Sequence, residues 1–172
     1  MTDAQQALAR VLDPAYLATL EQRSLAELRA MHTECVELEN FFSYVRRIAQ
    51  GRLDILTAEI ERRSTGGSVG ELVAALPKIL GGDDEESRPP AAQTRLVPHL
   101  APDTEYELPQ ELATVLADDT LARLPSLTDD EVRAALDELD ALEKRFSSER
   151  RSLHEVIDRI ERDLAARLVV EA

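Results

Sequence analysis

Residues 39–54, ENFFSYVRRIAQGRLD, decide the fold, because residues 143–158, EKRFSSERRSLHEVID, repeat their pattern. Both stretches have the spacing E-x3-S-x2-R-x3-(Q or H)-x3-D, and the second lies 104 positions after the first (143 minus 39). The matched residues are Glu39, Ser43, Arg46, Gln50 and Asp54 in copy 1, and Glu143, Ser147, Arg150, His154 and Asp158 in copy 2. The same shift pairs Glu27 with Glu131 and Arg63 with Arg167, so the sequence contains an internal duplication.

The matched polar residues have helical spacing. Steps of four, three, four and four residues keep them within an arc of roughly 80° over about 22 Å of helix axis. An apolar stripe of near-heptad spacing lies about 100° away around the same helix. Its members are Cys35, Leu38, Phe42, Val45, Ala49 and Leu56, matched in copy 2 by Leu139, Leu142, Phe146, Leu153 and Ile160. We therefore predict long helices in which the polar residues flank the packing seam.

The polar residue types in the two copies suit a guanine nucleotide. In a single copy, charged residues four apart most often form a solvated helix face with ion pairs. Two copies in the same order favour a binding site instead. Arginine can donate two bonds to the O6 and N7 atoms of guanine, and a carboxylate can accept bonds from its N–H groups. Serine and the neighbouring Arg47 and Arg151 suit phosphate oxygens. We predict a ligand with two equivalent guanine–phosphate halves.

The duplicated signature resembles that of the RsiG family of actinobacterial anti-sigma factors. The resemblance implies an antiparallel coiled coil that binds cyclic di-GMP and, when loaded, sequesters a sigma factor of the WhiG or flagellar type. It also implies that the ten matched residues of the two copies bind the ligand. It covers both long helices and leaves residues 64 to about 125 unmatched.

One ligand position departs from the family pattern, because His154 stands where the family has glutamine. An imidazole nitrogen either donates or accepts one hydrogen bond, whereas an amide group can do both at once. We therefore expect the second half-site to bind more weakly, or with a pH dependence set by titration of the histidine ring.

Composition and charge support an all-α protein without general affinity for nucleic acid. The 172 residues suit one domain, elongated if the long helices pair, and only 3% are aromatic. The formal charge of −14 argues against direct DNA binding, which depends on basic residues that neutralise phosphates. It suits a protein that covers a basic surface, such as the DNA-facing side of a sigma factor.

The chain divides into four predicted segments: an N-terminal arm (1–23), a first long helix (24–64), a linker with short helices (65–127) and a second long helix (128–172). The arm contains a short helix over 2–12, and capping boxes open the long helices at Ser24 and Thr128. In the linker we predict a helix over 69–80 that is broken by Pro77, a flexible tract at 81–90, irregular chain at 91–110, and a helix from Pro109 to about Leu124. Gly51 would let a base approach the helix backbone beside Gln50, although Ser152 stands at its place in copy 2.

The pairing sense of the long helices comes from the resemblance, and the residues alone also permit a parallel pair.

No sequence motif of an enzyme, no catalytic residues and no metal-ligand spacing appear, and Cys35 is predicted to be a small core residue. Without a signal peptide or membrane span, we predict a cytoplasmic protein. The alternative function is a constitutive helical adaptor or structural coiled coil without a nucleotide ligand.

Overall fold

The computed structural model describes residues 2–81, 106–107, 109–115 and 123–170, and these ranges contain helices and no β-strand. The predicted all-α class is therefore confirmed. The helices are α1 (Asp3–Val11), α2 (Pro14–Leu17), α3 (Leu25–Thr65), α4 (Val69–Gly81), α5 (Gln110–Val115) and α6 (Asp129–Val170), with 3-10 helices at Leu20–Gln22 and Leu124–Ser126. The two long helices α3 and α6 contain 41 and 42 residues.

The two long helices begin where their capping boxes predict. The amide of Glu27 donates to Oγ of Ser24 at 3.2 Å, and the amide of Ser24 donates back to the Glu27 carboxylate at 2.7 Å. Thr128 and Glu131 make the same two bonds at 3.3 and 2.7 Å. These bonds satisfy backbone N–H groups that the first helical turn leaves without a partner.

The contacts divide the chain into two compact units. The first unit comprises Met1–Val45, Leu100–Gln110 and Arg145–Ala172, and the second comprises Arg46–His99 and Glu111–Lys144. Each unit therefore contains part of α3 and part of α6.

In the first unit, α3 and α6 run antiparallel. Nε2 of His32 lies 3.0 Å from Oε1 of Glu161, and further along α3 Glu39 lies 2.8 Å from Nε2 of His154. Residue numbers thus rise on one helix as they fall on the other. The seam between them is apolar, with Cys35, Leu38, Phe42, Val45, Phe146, Leu153 and Ile160 all buried. Their burial confirms the predicted apolar stripe as the packing face. Burial of such side chains is the main favourable term in folding.

The second unit has the same antiparallel arrangement. Arg46 donates to Glu143 at 3.1 Å, and Arg63 pairs with Asp129 at 2.8 Å near the opposite end of this part of α3. Its buried apolar residues are Ala49, Leu53, Ile55, Leu56, Leu124, Val132 and Leu139. A parallel pair, which the residues alone permitted, is thereby excluded, and the antiparallel sense implied by the family resemblance is confirmed.

An arginine near the C-terminal end of each long helix binds backbone carbonyl groups just before the other long helix. Arg63 does this in the second unit and Arg167 in the first, and the two arginines match under the 104-residue shift. The carbonyl groups are those of Leu124 and Leu127 for Arg63, and those of Leu20 and Arg23 for Arg167. The acceptors match under the same shift, so the duplication includes both helix ends. We call these two arrangements the arginine clamps.

The N-terminal arm docks on α3 within the first unit. Ala4, Leu8 and Val11 of α1 are buried, and both Arg10 and Tyr16 contact the carboxylate of Glu34. The arm thus packs on its own chain. Beside it, Cys35 is fully buried, and burial raises the pKa of its thiol, as expected for a small core residue.

Two details of the linker differ from the sequence predictions. Helix α4 runs through Pro77 to Gly81, so the predicted break is wrong. Proline has no N–H group, so the carbonyl of Val73 loses one helical hydrogen bond, but the helix continues past it. A Cβ at Gly51 would meet Cδ2 of Leu80 at 3.4 Å, so α4, rather than space for a base, lies beside this glycine.

The remaining linker predictions lie partly outside the described residues. The helix expected from Pro109 to about Leu124 is present as α5 (Gln110–Val115), and residues 116–122 are not among those described. The tract expected to be flexible, 81–90, falls beyond α4 except for its first residue, and the predicted irregular segment 91–110 is described only at 106–107 and 109–110.

Candidate functional site

The first unit brings residues of both signature copies into contact. Oε1 of Glu39 accepts a hydrogen bond from Oγ of Ser43 at 2.8 Å and lies 2.8 Å from Nε2 of His154. Nη1 of Arg150 donates to Oγ of Ser43 at 3.3 Å, and its Nε lies 3.9 Å from Oε1 of Glu39. All four side chains are half-buried. We call Glu39, Ser43, Arg150 and His154 the first-unit cluster.

The second unit also brings residues of both copies together. Nη1 of Arg46 donates to Oε1 of Glu143 at 3.1 Å across the helix pair. One turn further along α3, Nε2 of Gln50 donates to Oδ1 of Asp54 at 2.9 Å. These side chains are half-buried as well. We call Arg46, Gln50, Asp54 and Glu143 the second-unit cluster.

The 104-residue shift relates the arginine–glutamate ion pair of one cluster to that of the other. Adding 104 to Arg46 gives Arg150, and subtracting 104 from Glu143 gives Glu39. Each pair therefore joins the arginine of one copy to the glutamate of the other. Antiparallel pairing produces this result, because it sets the early part of one signature beside the late part of the other.

The other predicted residues take different places on α3 and α6. Ser147 is half-buried, whereas Asp158 is exposed one turn beyond His154. Arg47 and Arg151, the predicted phosphate contacts, are exposed. Eight of the ten matched residues thus belong to the two clusters.

Arg46 retains an unused donor in the second-unit cluster. Its Nε is buried and has no hydrogen-bond partner among the residues that the structure describes. A buried donor without an acceptor costs free energy, about 1–3 kcal/mol. An acceptor placed beside Arg46 by a ligand would recover this energy.

Sequence reasoning missed a buried charge in the second unit. The side chain of Glu59 is only 2% exposed and accepts bonds from Arg62 at 2.6 and 2.8 Å and from Arg63 at 2.6 Å. The hydrogen bonds from Arg62, followed by those from Arg63, hold the pKa of this carboxyl below its ordinary value. A signal was present in the sequence, since both matched arginines of the clamps follow an acid by four residues, Glu59 before Arg63 and Asp163 before Arg167.

The described ranges contain neither a metal-binding cluster nor a helix that could span a membrane. No group of three or more His, Cys, Asp or Glu side chains there is arranged to hold a metal ion. No described helix combines the length and apolar character needed to cross a bilayer.

Comparison with known proteins gives one family match. Residues 14–80 match the family model described as RsiG-like. This segment contains α3 with copy 1 of the signature and helix α4, while copy 2 lies beyond it. The resemblance to the RsiG family, whose members are regulatory anti-sigma factors rather than enzymes, is thus confirmed over this segment. No curated protein matches the chain.

Proposed function

From the RsiG-like match of residues 14–80, together with the two clusters, we propose that this chain is an anti-sigma factor gated by cyclic di-GMP. In the loaded state it sequesters a sigma factor of the WhiG or flagellar type and so represses transcription. The observation that carries the proposal is the repeated ion pair between the two signature copies, Arg46 with Glu143 and Arg150 with Glu39.

The chemistry of each cluster suits one guanine–phosphate half of the dinucleotide. Each contains one arginine, which can donate to the O6 and N7 atoms of guanine or to a phosphate, and at least one carboxylate, which can accept from the N1–H and N2–H2 groups. Half-burial excludes part of the water that competes for these bonds. The ligand is itself made of two identical halves, which fits a duplicated set of side chains.

The contacts between the two signature copies support a gating role. The arginines and glutamates of both clusters are engaged with one another across α3 and α6, at 3.1 Å in the second unit and 3.9 Å in the first. A ligand that binds these arginines and glutamates would break the ion pairs between the helices and replace them with bonds to the ligand. The helix surfaces offered to a partner would then differ between the free and loaded states.

The formal charge of −14 supports a basic partner surface. A sigma factor region that contacts DNA carries such a surface, and complementary charge accelerates association and disfavours incorrect partners. The same charge opposes direct binding of DNA by this chain.

A constitutive helical adaptor is the second candidate, and the same contacts give it specific support. Ser43 bonds to Glu39, and Gln50 bonds to Asp54, so four of the five residues of copy 1 have a partner within α3 itself. On this alternative the polar rows stabilise the helix pair and bind no nucleotide.

Isothermal titration of the chain with cyclic di-GMP separates the two candidates. The proposal predicts saturable binding, with GMP and a cyclic adenine dinucleotide as much weaker ligands because they lack either the second half or the guanine edge. Titration of the sigma factor with and without the dinucleotide then tests gating. The factor by which the dinucleotide raises sigma-factor affinity must equal the factor by which the sigma factor raises dinucleotide affinity. Absence of cyclic di-GMP binding, with the helical content intact, would support the adaptor.

A further inference from the structure

The two clusters differ at one matched position, His154 in copy 2 against Gln50 in copy 1. Gln50 bonds along its own helix to Asp54 at 2.9 Å. His154 instead reaches across to α3, where its Nε2 lies 2.8 Å from Oε1 of Glu39. Oε1 of Glu39 also accepts a hydrogen bond from Ser43, so the histidine and the serine share one carboxylate oxygen.

The histidine contact is accompanied by a change in the ion pair beside it. In the second-unit cluster, Arg46 donates directly to Glu143 at 3.1 Å. In the first-unit cluster, the corresponding arginine, Arg150, stands 3.9 Å from Glu39 and donates to Ser43 instead. The glutamate of the first-unit cluster is thus shared with the imidazole, and its arginine is held less closely.

We infer that His154 competes with the ligand for Glu39 and so makes ligand binding at the first-unit cluster depend on proton uptake. This inference rests on the proposed function. A guanine that donates its N1–H and N2–H2 groups to Glu39 must displace the ring from Oε1. A protonated ring donates to the carboxylate as an ion pair and is harder to displace than a neutral one. Ligand affinity therefore decreases as the pH is lowered through the range in which the ring takes up a proton.

Charged groups lie near His154 on both long helices. Glu39 is the charged residue that contacts the ring from α3. On α6, residues within one turn of it in the sequence include Arg150, Arg151 and Asp158. Among these residue types, histidine is the one whose charge generally changes near neutral pH.

His32 provides a matched control in the same unit. Its Nε2 lies 3.0 Å from Oε1 of Glu161, so it is also a histidine on one long helix paired with a glutamate on the other. It belongs to neither cluster. His154→Gln restores the residue type of copy 1, whereas His32→Gln removes a similar pair outside the signature.

The experiment is titration of the wild-type chain, His154→Gln and His32→Gln with cyclic di-GMP at about pH 8, 7 and 6. We expect wild-type affinity to fall by about threefold to tenfold across this range, since one linked proton changes affinity by at most about tenfold per pH unit. His32→Gln should show the same decrease, and His154→Gln should show little or none. Circular dichroism at each pH checks that all three chains remain helical.

The remaining outcomes are also decisive. A pH dependence that is equal in wild type and His154→Gln, or a wild-type affinity that rises or stays constant as the pH falls, overturns the role of His154 and leaves the proposed function in place. If wild type and His154→Gln both fail to bind at all three pH values, the proposed function fails and the inference fails with it.

Discussion

The arginine clamps of the two units bind matched backbone carbonyl groups, but their arginines pair with acids of different solvent exposure. In the second unit, Arg63 binds Glu59, whose side chain is 2% exposed. In the first unit, Arg167 binds Asp163 at 2.8 Å, and that side chain is 22% exposed. Arg63 has a further partner in Asp129, where the first unit has Leu25. Duplication has thus kept the backbone contacts of the clamp, while the surrounding charges have diverged.

The comparison teaches that matched residues do not make equal contributions to stability. A charge buried in a low-dielectric environment depends strongly on its partners, because loss of one partner leaves it uncompensated. A pair that remains in contact with water loses much less when it is broken. The second unit should therefore be the more sensitive of the two to loss of its clamp.

The largest effect is expected for Arg63→Ala. Loss of this guanidinium removes a donor from the carbonyl groups of Leu124 and Leu127 and reduces the compensation of buried Glu59. We expect the free energy of unfolding to decrease by about 3–5 kcal/mol. The measurement is chemical denaturation followed by circular dichroism.

Arg167→Ala is the matched test in the first unit. It removes bonds to the carbonyl groups of Leu20 and Arg23 and an ion pair whose side chains are 25% and 22% exposed, so we expect a decrease of about 1–2 kcal/mol. Equal losses for Arg63→Ala and Arg167→Ala would contradict the assignment of unequal burial to the two clamps.

Glu59→Gln should have an intermediate effect that depends on pH. Because its pKa is lowered in the folded protein, this carboxyl stabilises the fold above its ordinary pKa, and the contribution is lost as the pH falls through the folded value. We expect the variant to be less stable than wild type by about 2 kcal/mol near neutral pH, because two arginines lose a charged acceptor. The difference should shrink in acid. Thermal melts between neutral pH and about pH 2 measure it, because the folded pKa lies below the ordinary value, and a difference that is constant over this range would exclude an ionised Glu59 as its source.

The smallest effects are expected at the capping boxes, where the two copies should behave alike. Ser24→Ala and Thr128→Ala each remove a side-chain oxygen that accepts a backbone N–H, and each should cost about 1 kcal/mol of stability. Denaturation curves of the two variants should nearly coincide. A loss confined to one of them would indicate that only one box holds its helix end in solution.

Much of the fold could be predicted from the sequence, because its signals are local or repeated. Capping boxes mark the starts of α3 and α6, the near-heptad apolar residues are buried, and the shift of 104 identifies equivalent residues. The pairing sense could not be derived from the residues alone. Helical spacing fixes which residues share a face, but not which direction the partner helix runs.

The parts of the site that could not be predicted depend on contacts distant in sequence. The four-residue spacing of Glu59 and Arg63 indicates an ion pair, but it does not reveal that Glu59 is buried or that Arg63 reaches the chain before α6. Leu80 lies beside Gly51 because α4 folds back on α3, which composition does not reveal. Likewise, the partner of His154 follows from the antiparallel register and not from the residue itself.

The most direct test of the central claim, that the signature residues of each cluster bind the proposed ligand, is calorimetric titration of single arginine variants with cyclic di-GMP. Arg46→Ala and Arg150→Ala each remove the arginine of one cluster, and Arg29→Ala and Arg133→Ala serve as controls, being exposed arginines matched under the same shift. The account predicts that wild type and both controls bind, whereas Arg46→Ala and Arg150→Ala each lose at least about tenfold in affinity with their helicity retained. Wild-type affinity in both cluster variants, or no binding by the wild-type chain, would contradict it.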